Sequence, residues 1–145
     1  MAELTEKYDV FVACSFSSKV DYDTGEVFPE HREYIEGVLE DIRRLGLTVF
    51  CAIEHEGWKI GQDPPEVGVE MDLTTIDASD QLLVILGTNK SDGCSYEAGH
   101  AAQAGKAVSF MFEPGVTELS YWNQGLVNGG RVKLISDVKE LLSAS

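Results

Sequence analysis

Basic residues are scarce in this chain. Its 145 residues hold 11 lysines and arginines against 25 aspartates and glutamates, a formal net charge of −14. That deficit speaks against nucleic-acid or anionic-membrane partners, both of which need a basic surface. A small anionic substrate stays possible if a few donors converge locally. Long apolar runs are missing too. The longest near the middle, Leu82 to Leu86, is far too short to span a bilayer. Met1 to Lys7 is polar and carries no secretory pattern, so a cytoplasmic protein is expected. Cysteines are few, at 14, 51 and 94. No pair has metal-ligand spacing, and a cytosolic chain keeps them reduced. His31, His55 and His100 form neither a metal nor a triad spacing. The glycines make no GxGxxG and no P-loop, since Gly87 to Ser91 lacks the Walker spacing. No cofactor and no metal are therefore expected.

What is present is ordinary globular composition, 43% hydrophobic and 25% charged, at a length that suits one domain spanning residues 1–145. Short apolar runs predict strands over Tyr8 to Cys14, Thr48 to Ala52, Leu82 to Leu86, Ala107 to Phe112 and Arg131 to Ile135. Helical patterns lie between them. Glu30 to Leu45 puts Tyr34, Ile35, Val38, Leu39, Ile42 and Leu45 on one face before Gly46 stops it. Asp63-Pro64-Pro65-Glu66 reads as a capped helix start running to about Ala78. Further helices are expected over Ser95 to Ala104, Tyr121 to Val127 and Ser136 to Leu142. This alternation implies an α/β fold: a five-stranded, parallel, doubly wound sheet in flavodoxin-like, Rossmann-like order with helices on both faces. Ligands bind such sheets outside the carboxyl ends of the strands. Those ends are Cys14-Ser15, the Ala52 to Trp58 loop, Gly87 to Ser95, and Phe112 to Ser120.

Two carboxylates stand out near those ends. Glu97 falls early in the helix after the third strand, where the macrodipole favours an ionised carboxylate. Asp72 is four residues from Ile76, so it can share the inward-leaning face of its helix. A half-buried Asp has a raised pKa and can donate a proton. Two such groups can divide the work of a retaining glycosidase. Periodicity alone permits this arrangement and serves two solvated side chains equally well. His55 fits either a base pocket or a plain loop, and His100 shares a helix face with Glu97.

Three segments carry a resemblance. They are Val10 to Phe16, Asp72 to Asp80, and Gly93-Cys94-Ser95-Tyr96-Glu97-Ala98-Gly99-His100-Ala101. In this order the chain from Val10 to Leu142 resembles the nucleoside 2-deoxyribosyltransferase superfamily, which includes nucleoside 5′-monophosphate N-glycosidases. The resemblance implies that Glu97 forms a covalent glycosyl-enzyme and that Asp72 assists the leaving base. The transferases place an Asp six residues before the nucleophile to receive the sugar 5′-hydroxyl. That position is Ser91 here, as in the monophosphate hydrolases. A hydroxyl there can donate to a phosphate that a carboxylate would repel. Ser15 and Ser120 match two further hydroxyls of that site, Ser120 as a residue from the partner subunit. The resemblance thus implies a homodimer or larger with shared active sites, and Tyr121, Trp122 and Leu126 offer an apolar patch for it.

A closer likeness is to the cytidylate hydrolases of nucleoside-antibiotic pathways. It rests on Val20-Asp21-Tyr22-Asp23-Thr24-Gly25, on Glu56-Gly57-Trp58, and on Phe11 where most relatives have Tyr. A pyrimidine is expected, cytosine first, with Glu56 accepting from its exocyclic amine and Trp58 stacking on it. Gly93 belongs to the same implied substrate site. The chain departs from the pattern at Ser17, where relatives often carry Arg, leaving Lys19 or Lys90 to supply the cation. Asp92 beside Ser91 keeps transferase character open. The expected function is hydrolysis of a nucleoside 5′-monophosphate, with base exchange as the alternative. A nucleotide-sensing or Toll-receptor-like (TIR-like) domain is a second alternative, since Tyr8 to Val12 resembles the opening strand of such domains.

Overall fold

A computed structural model describes residues 6–88 and 91–141. Lys90 and Leu142, for which expectations are stated above, lie outside the described residues.

The first strand, β1 (Tyr8–Cys14), is followed by α1 (Pro29–Arg44), β2 (Val49–Cys51), α2 (Ala52–His55), α3 (Pro65–Asp77), β3 (Ser79–Leu86), α4 (Asp92–Gln103), β4 (Ala107–Phe112), α5 (Tyr121–Asn128) and β5 (Lys133–Leu134). The sheet is parallel throughout, in the order β2-β1-β3-β4-β5. This is the order expected of a flavodoxin-like sheet.

Period-two alternation sends each strand's side chains to two opposite layers. Val10, Val12 and Cys14 join the face covered by α1, with Ile35, Leu39 and Ile42 fully buried against them. Phe11 and Ala13 join the other face, with Ile76 of α3 and Cys94, Ala98 and Ala101 of α4. Both faces of β1 and β3 are thus dry, which explains their continuous apolar runs. Burying one Leu or Ile in this way contributes roughly 1.5–3 kcal/mol.

Strands β2 and β5 are shorter than expected, and several other boundaries differ. Asp63 does not cap α3: Pro64 occupies the N-cap at φ −58°, ψ 146°, with no side-chain cap bond. A residue before proline is pushed out of the helical region, so the helix waits for Pro65. Strand β3 starts three residues early, at Ser79, whose hydroxyl donates to Thr75 O over 2.7 Å and so hides a polar start. Helix α4 begins at Asp92 because Ser91 is the N-cap, its hydroxyl accepting from Cys94 N at 3.2 Å. The helix expected over 136–142 is one 3-10 turn, Val138–Glu140, closed by an Asp137–Glu140 capping box. The loop expected after β2 instead contains α2, and Gly57 (φ 75°) and Trp58 (φ 66°) reverse the chain behind it.

Helices α3 and α4 are tied to each other. His100 Nε2 meets Asp77 Oδ1 at 2.7 Å, and Lys106 Nζ donates to Asp77 O and Ser79 O at the carbonyl end of α3. These contacts fix the separation of Asp72 and Glu97. No helix of the described residues is long and apolar enough to cross a membrane.

Candidate active site

The site forms where α3 and α4 pass the carboxyl end of β1. Ala98 and Ala101 are small, so α4 lies close against the sheet and presents Glu97 inward. Ile76 is fully buried one turn beyond Asp72, which turns that carboxylate toward the same space. The strand ends Phe11–Cys14 and Cys51–Ile53 complete a pocket with Phe16, Asp72 and Glu97, of about 40 Å³. A site for a small molecule usually encloses roughly 300–1,000 Å³. The enclosed part of this pocket is smaller than that.

The two carboxyls line the same pocket and each shifts the other's titration. Burial, then the charge of Asp72, pushes Glu97 up to about 8. Burial also raises Asp72, opposed by Glu97 and by the nearby His55. The titration of the pair belongs to both groups. The macrodipole expectation for Glu97 is corrected here. Glu97 is the sixth residue of α4, past the first turn where the dipole acts, and burial beside Asp72 dominates. Glu56 is raised as well, by burial and then by Asp72 and Asp63, so a third carboxyl stands at the rim. His55 packs its ring on Phe50 at 5.3 Å between centroids.

Thiols line the same pocket. Cys14 and Cys51 are buried beside each other, and their mutual interaction raises Cys14 and lowers Cys51. Burial pushes Cys94 up to about 11. Only their position at strand ends pointed to Cys14 and Cys51.

The remaining expected residues divide. Phe11 lines the pocket and Ser15 follows Cys14 at its edge, half-buried. Ser91 spends its lone pair on the α4 cap, which leaves its hydrogen to donate. Asp92 and Gly93 are exposed in the first turn of α4. Ser17 is exposed, and its carbonyl accepts from the Tyr22 hydroxyl. Lys19 is engaged elsewhere, 3.8 Å from Glu113. Trp58 is not at the pocket. It is 6% exposed in the core on the α1 face, with Arg32 5.4 Å above its ring. Its left-handed backbone turns the indole inward, so Phe11 and Phe16 are the aromatic groups left facing the ligand side. Ser120 caps α5 by accepting from Asn123 N at 3.1 Å and lies outside this chain's pocket lining. His31 is buried beside Glu113, a residue that sequence reasoning passed over although it opens one of the ligand-side loops.

Solved structures share this architecture. The solution structure of BlsM matches with a TM-score of 0.65 at 25% identity, covering 88% of this chain and 79% of that one. The CMP N-glycosidase BcmB of Clostridium botulinum gives 0.62 at 20% identity over 88% and 87% of the two chains. A 2-deoxyribosyltransferase of Bacillus psychrosaccharolyticus gives 0.57 at 22% identity over 79% and 88%. The TIR domain of the Toll-related receptor TRR-2 of Hydra magnipapillata gives 0.56 at 17% identity over 88% and 84%. No family model and no curated protein matches the chain. What the chain shares with a nucleotide N-glycosidase, a deoxyribosyltransferase and a receptor domain is their α/β fold.

Proposed function

We propose that this chain hydrolyses the N-glycosidic bond of a nucleoside 5′-monophosphate, using Glu97 as nucleophile and Asp72 as acid and base. One observation carries the reading: two half-buried carboxyls, Asp72 and Glu97, line one pocket at the carboxyl end of β1, and burial raises both. A retaining glycosidase needs that inventory, one carboxylate to attack and one carboxyl to protonate. Substrate enters between them with one proton on the pair. That proton passes to Asp72, and an oxygen of Glu97 bonds to C1′ as the C1′–N bond breaks. Its electron pair goes to the base nitrogen, which takes the Asp72 proton. Water, deprotonated by Asp72, then attacks C1′ and releases Glu97 as a carboxylate.

The substrate class follows from the rim. Ser15 and Ser91 offer hydroxyl donors to a phosphate. Glu56 can accept from an exocyclic amine, so a pyrimidine is proposed, cytosine first. The fold likeness to a protein described as a CMP N-glycosidase supports that choice. The test is release of free base from CMP and dCMP by the purified protein, and from neither by Glu97→Ala. Intact nucleotides in both cases would sink the reading.

Base exchange on nucleosides is the second reading. It is favoured by the pairing of Lys19 with Glu113, which occupies the one cation expected at the 5′ end among the described residues. Cytidine compared with its 5′-phosphate, with and without an acceptor base, separates the two. A site that binds nucleotide without turnover would leave the paired carboxyls unused.

A further inference from the structure

A second polar cluster sits on the same carboxyl edge of the sheet, on the α1 side, and the chemistry above does not use it. Glu113, the residue after β4, is 8% exposed. Its Oε1 lies 3.8 Å from Lys19 Nζ and 3.6 Å from His31 Nδ1. Its Oε2 lies against Gly87, where any Cβ would collide with it. A side chain at position 87 would displace the Glu113 carboxylate from the end of β3. The far nitrogen of His31, Nε2, is buried with no partner among the described residues.

Both contacts to Glu113 are longer than a hydrogen bond, so the carboxylate is surrounded but not locked. Lys19 is the more exposed member, its side chain 36% exposed while that of Glu113 is 10% exposed. It hangs from a tight turn, Lys19 N to Phe16 O at 2.9 Å, and Phe16 lines the pocket. Cys14 also lines that pocket and lies close enough to Glu113 to feel its charge. The cluster is thus a neighbour of the reacting carboxyls across the end of β1.

We propose that Glu113 is the specificity-determining residue at the sugar's 5′ end: it holds Lys19 in the empty site and yields it to a 5′-phosphate, with His31 left as the carboxylate's partner. This rests on the glycosidase reading and adds the device that chooses between nucleotide and nucleoside. A phosphate carries close to two negative charges and, at the half-exposed edge, outbids a single carboxylate for the ammonium. The buried Glu113 charge remains nearby and opposes phosphate, so the native preference for nucleotide is moderated rather than maximal. Removing that charge strengthens the preference; removing Lys19 weakens it.

The experiment compares wild type, Glu113→Gln, Lys19→Met and Lys19→Arg. The readouts are the nucleotide-to-nucleoside ratio of kcat/KM and the binding of inorganic phosphate by calorimetry. Glu113→Gln is expected to raise the ratio, and Lys19→Met to lower it, each by about tenfold, mainly through the KM for nucleotide. Lys19→Arg keeps the wild-type ratio. Phosphate binds more tightly to Glu113→Gln and more weakly to Lys19→Met. A merely structural Glu113 would lower stability and kcat for both substrates alike and leave phosphate binding unchanged, which overturns the proposal. A fall in the nucleoside arm alone on Glu113→Gln overturns it too, since Glu113 would then be receiving the 5′-hydroxyl. Where Glu113→Gln fails to fold, Lys19→Met decides, and an unchanged ratio and phosphate affinity refute the proposal. If no substrate turns over, the glycosidase reading fails by itself, while the order of phosphate affinities still reports on Lys19 and Glu113.

Discussion

Glu97 and Asp72 have to be unlike each other at the moment of reaction, although burial raises both in the empty site. A single proton on the pair resolves this, and it sets a pH window. Activity needs one proton on the pair, so kcat/KM should be bell-shaped and fall as pH rises past about 8, where Glu97 loses its proton. Asp72→Asn should cost roughly 10²–10⁴-fold in kcat and flatten one limb of that profile. A symmetric, unshifted bell in Asp72→Asn would remove Asp72 from the proton inventory. Ser91 makes a separate prediction. Ser91→Asp puts a carboxylate where a dianionic phosphate is expected, and a like-charge contact in a closed site costs roughly several kcal/mol. Nucleotide cleavage should drop strongly while action on nucleosides is spared or appears. An unchanged preference would mean that Ser91 does not face the phosphate, and Asp92 would become the 5′ contact.

At the scale of elements, α3 and α4 exist to hold those two carboxyls in an unfavourable place, and stability should show it. Glu97 has a folded value of about 8 against an ordinary value of 4.5. Between those values the native state binds more protons than the unfolded chain, so stability falls as pH rises through the window. Glu97→Gln removes that cost and keeps a hydrogen-bond donor for Asp72. Its Tm should exceed that of wild type at pH 8, with the gap closing toward pH 4.5, in thermal melts across the series. No gap at pH 8 would mean that the carboxyl is not desolvated. The same helices show what the sequence could reveal. Strands β1 and β4 have their expected bounds because buried parallel strands are apolar from end to end. The start of β3 was not legible, since Ser79 and Gln81 are buried polar residues in an element read by its apolar run. Asp72 and Glu97 were readable as candidates from spacing and resemblance. Their convergence on one pocket was not, because it depends on the His100–Asp77 and Lys106 ties between two helices distant in sequence. Trp58 was misplaced for a related reason: nothing in Glu56-Gly57-Trp58 signals a tryptophan with positive φ.

For the whole molecule, the surface poses the remaining question. Helix α5 buries none of its residues, and Tyr121 and Trp122 are 91% and 74% exposed. Ser120 caps that helix and is expected to complete the active site of a second copy. The enclosed pocket of one chain is about 40 Å³, which leaves room for a partner to complete the site. A dimer through α5 would cover the two aromatics and bring each Ser120 toward the other chain's Ser91. The net charge of −14 opposes such an association at long range. Dimerisation should therefore strengthen as salt screens the repulsion, the reverse of a pair held by ion bridges. Trp122→Glu should shift the protein to monomer in sedimentation velocity and lower activity in the same proportion. Ser120→Ala should leave the dimer intact and raise the KM for nucleotide more than for nucleoside. Mixing inactive Glu97→Ala with Trp122-intact Ser120→Ala subunits gives the sharper reading. If sites are shared, the mixed dimer has one site that combines an intact Glu97 with an intact partner Ser120, so nucleotide affinity is restored there. If each site is built from one chain, mixing restores nothing, and a fully active monomer would dispose of the shared site altogether.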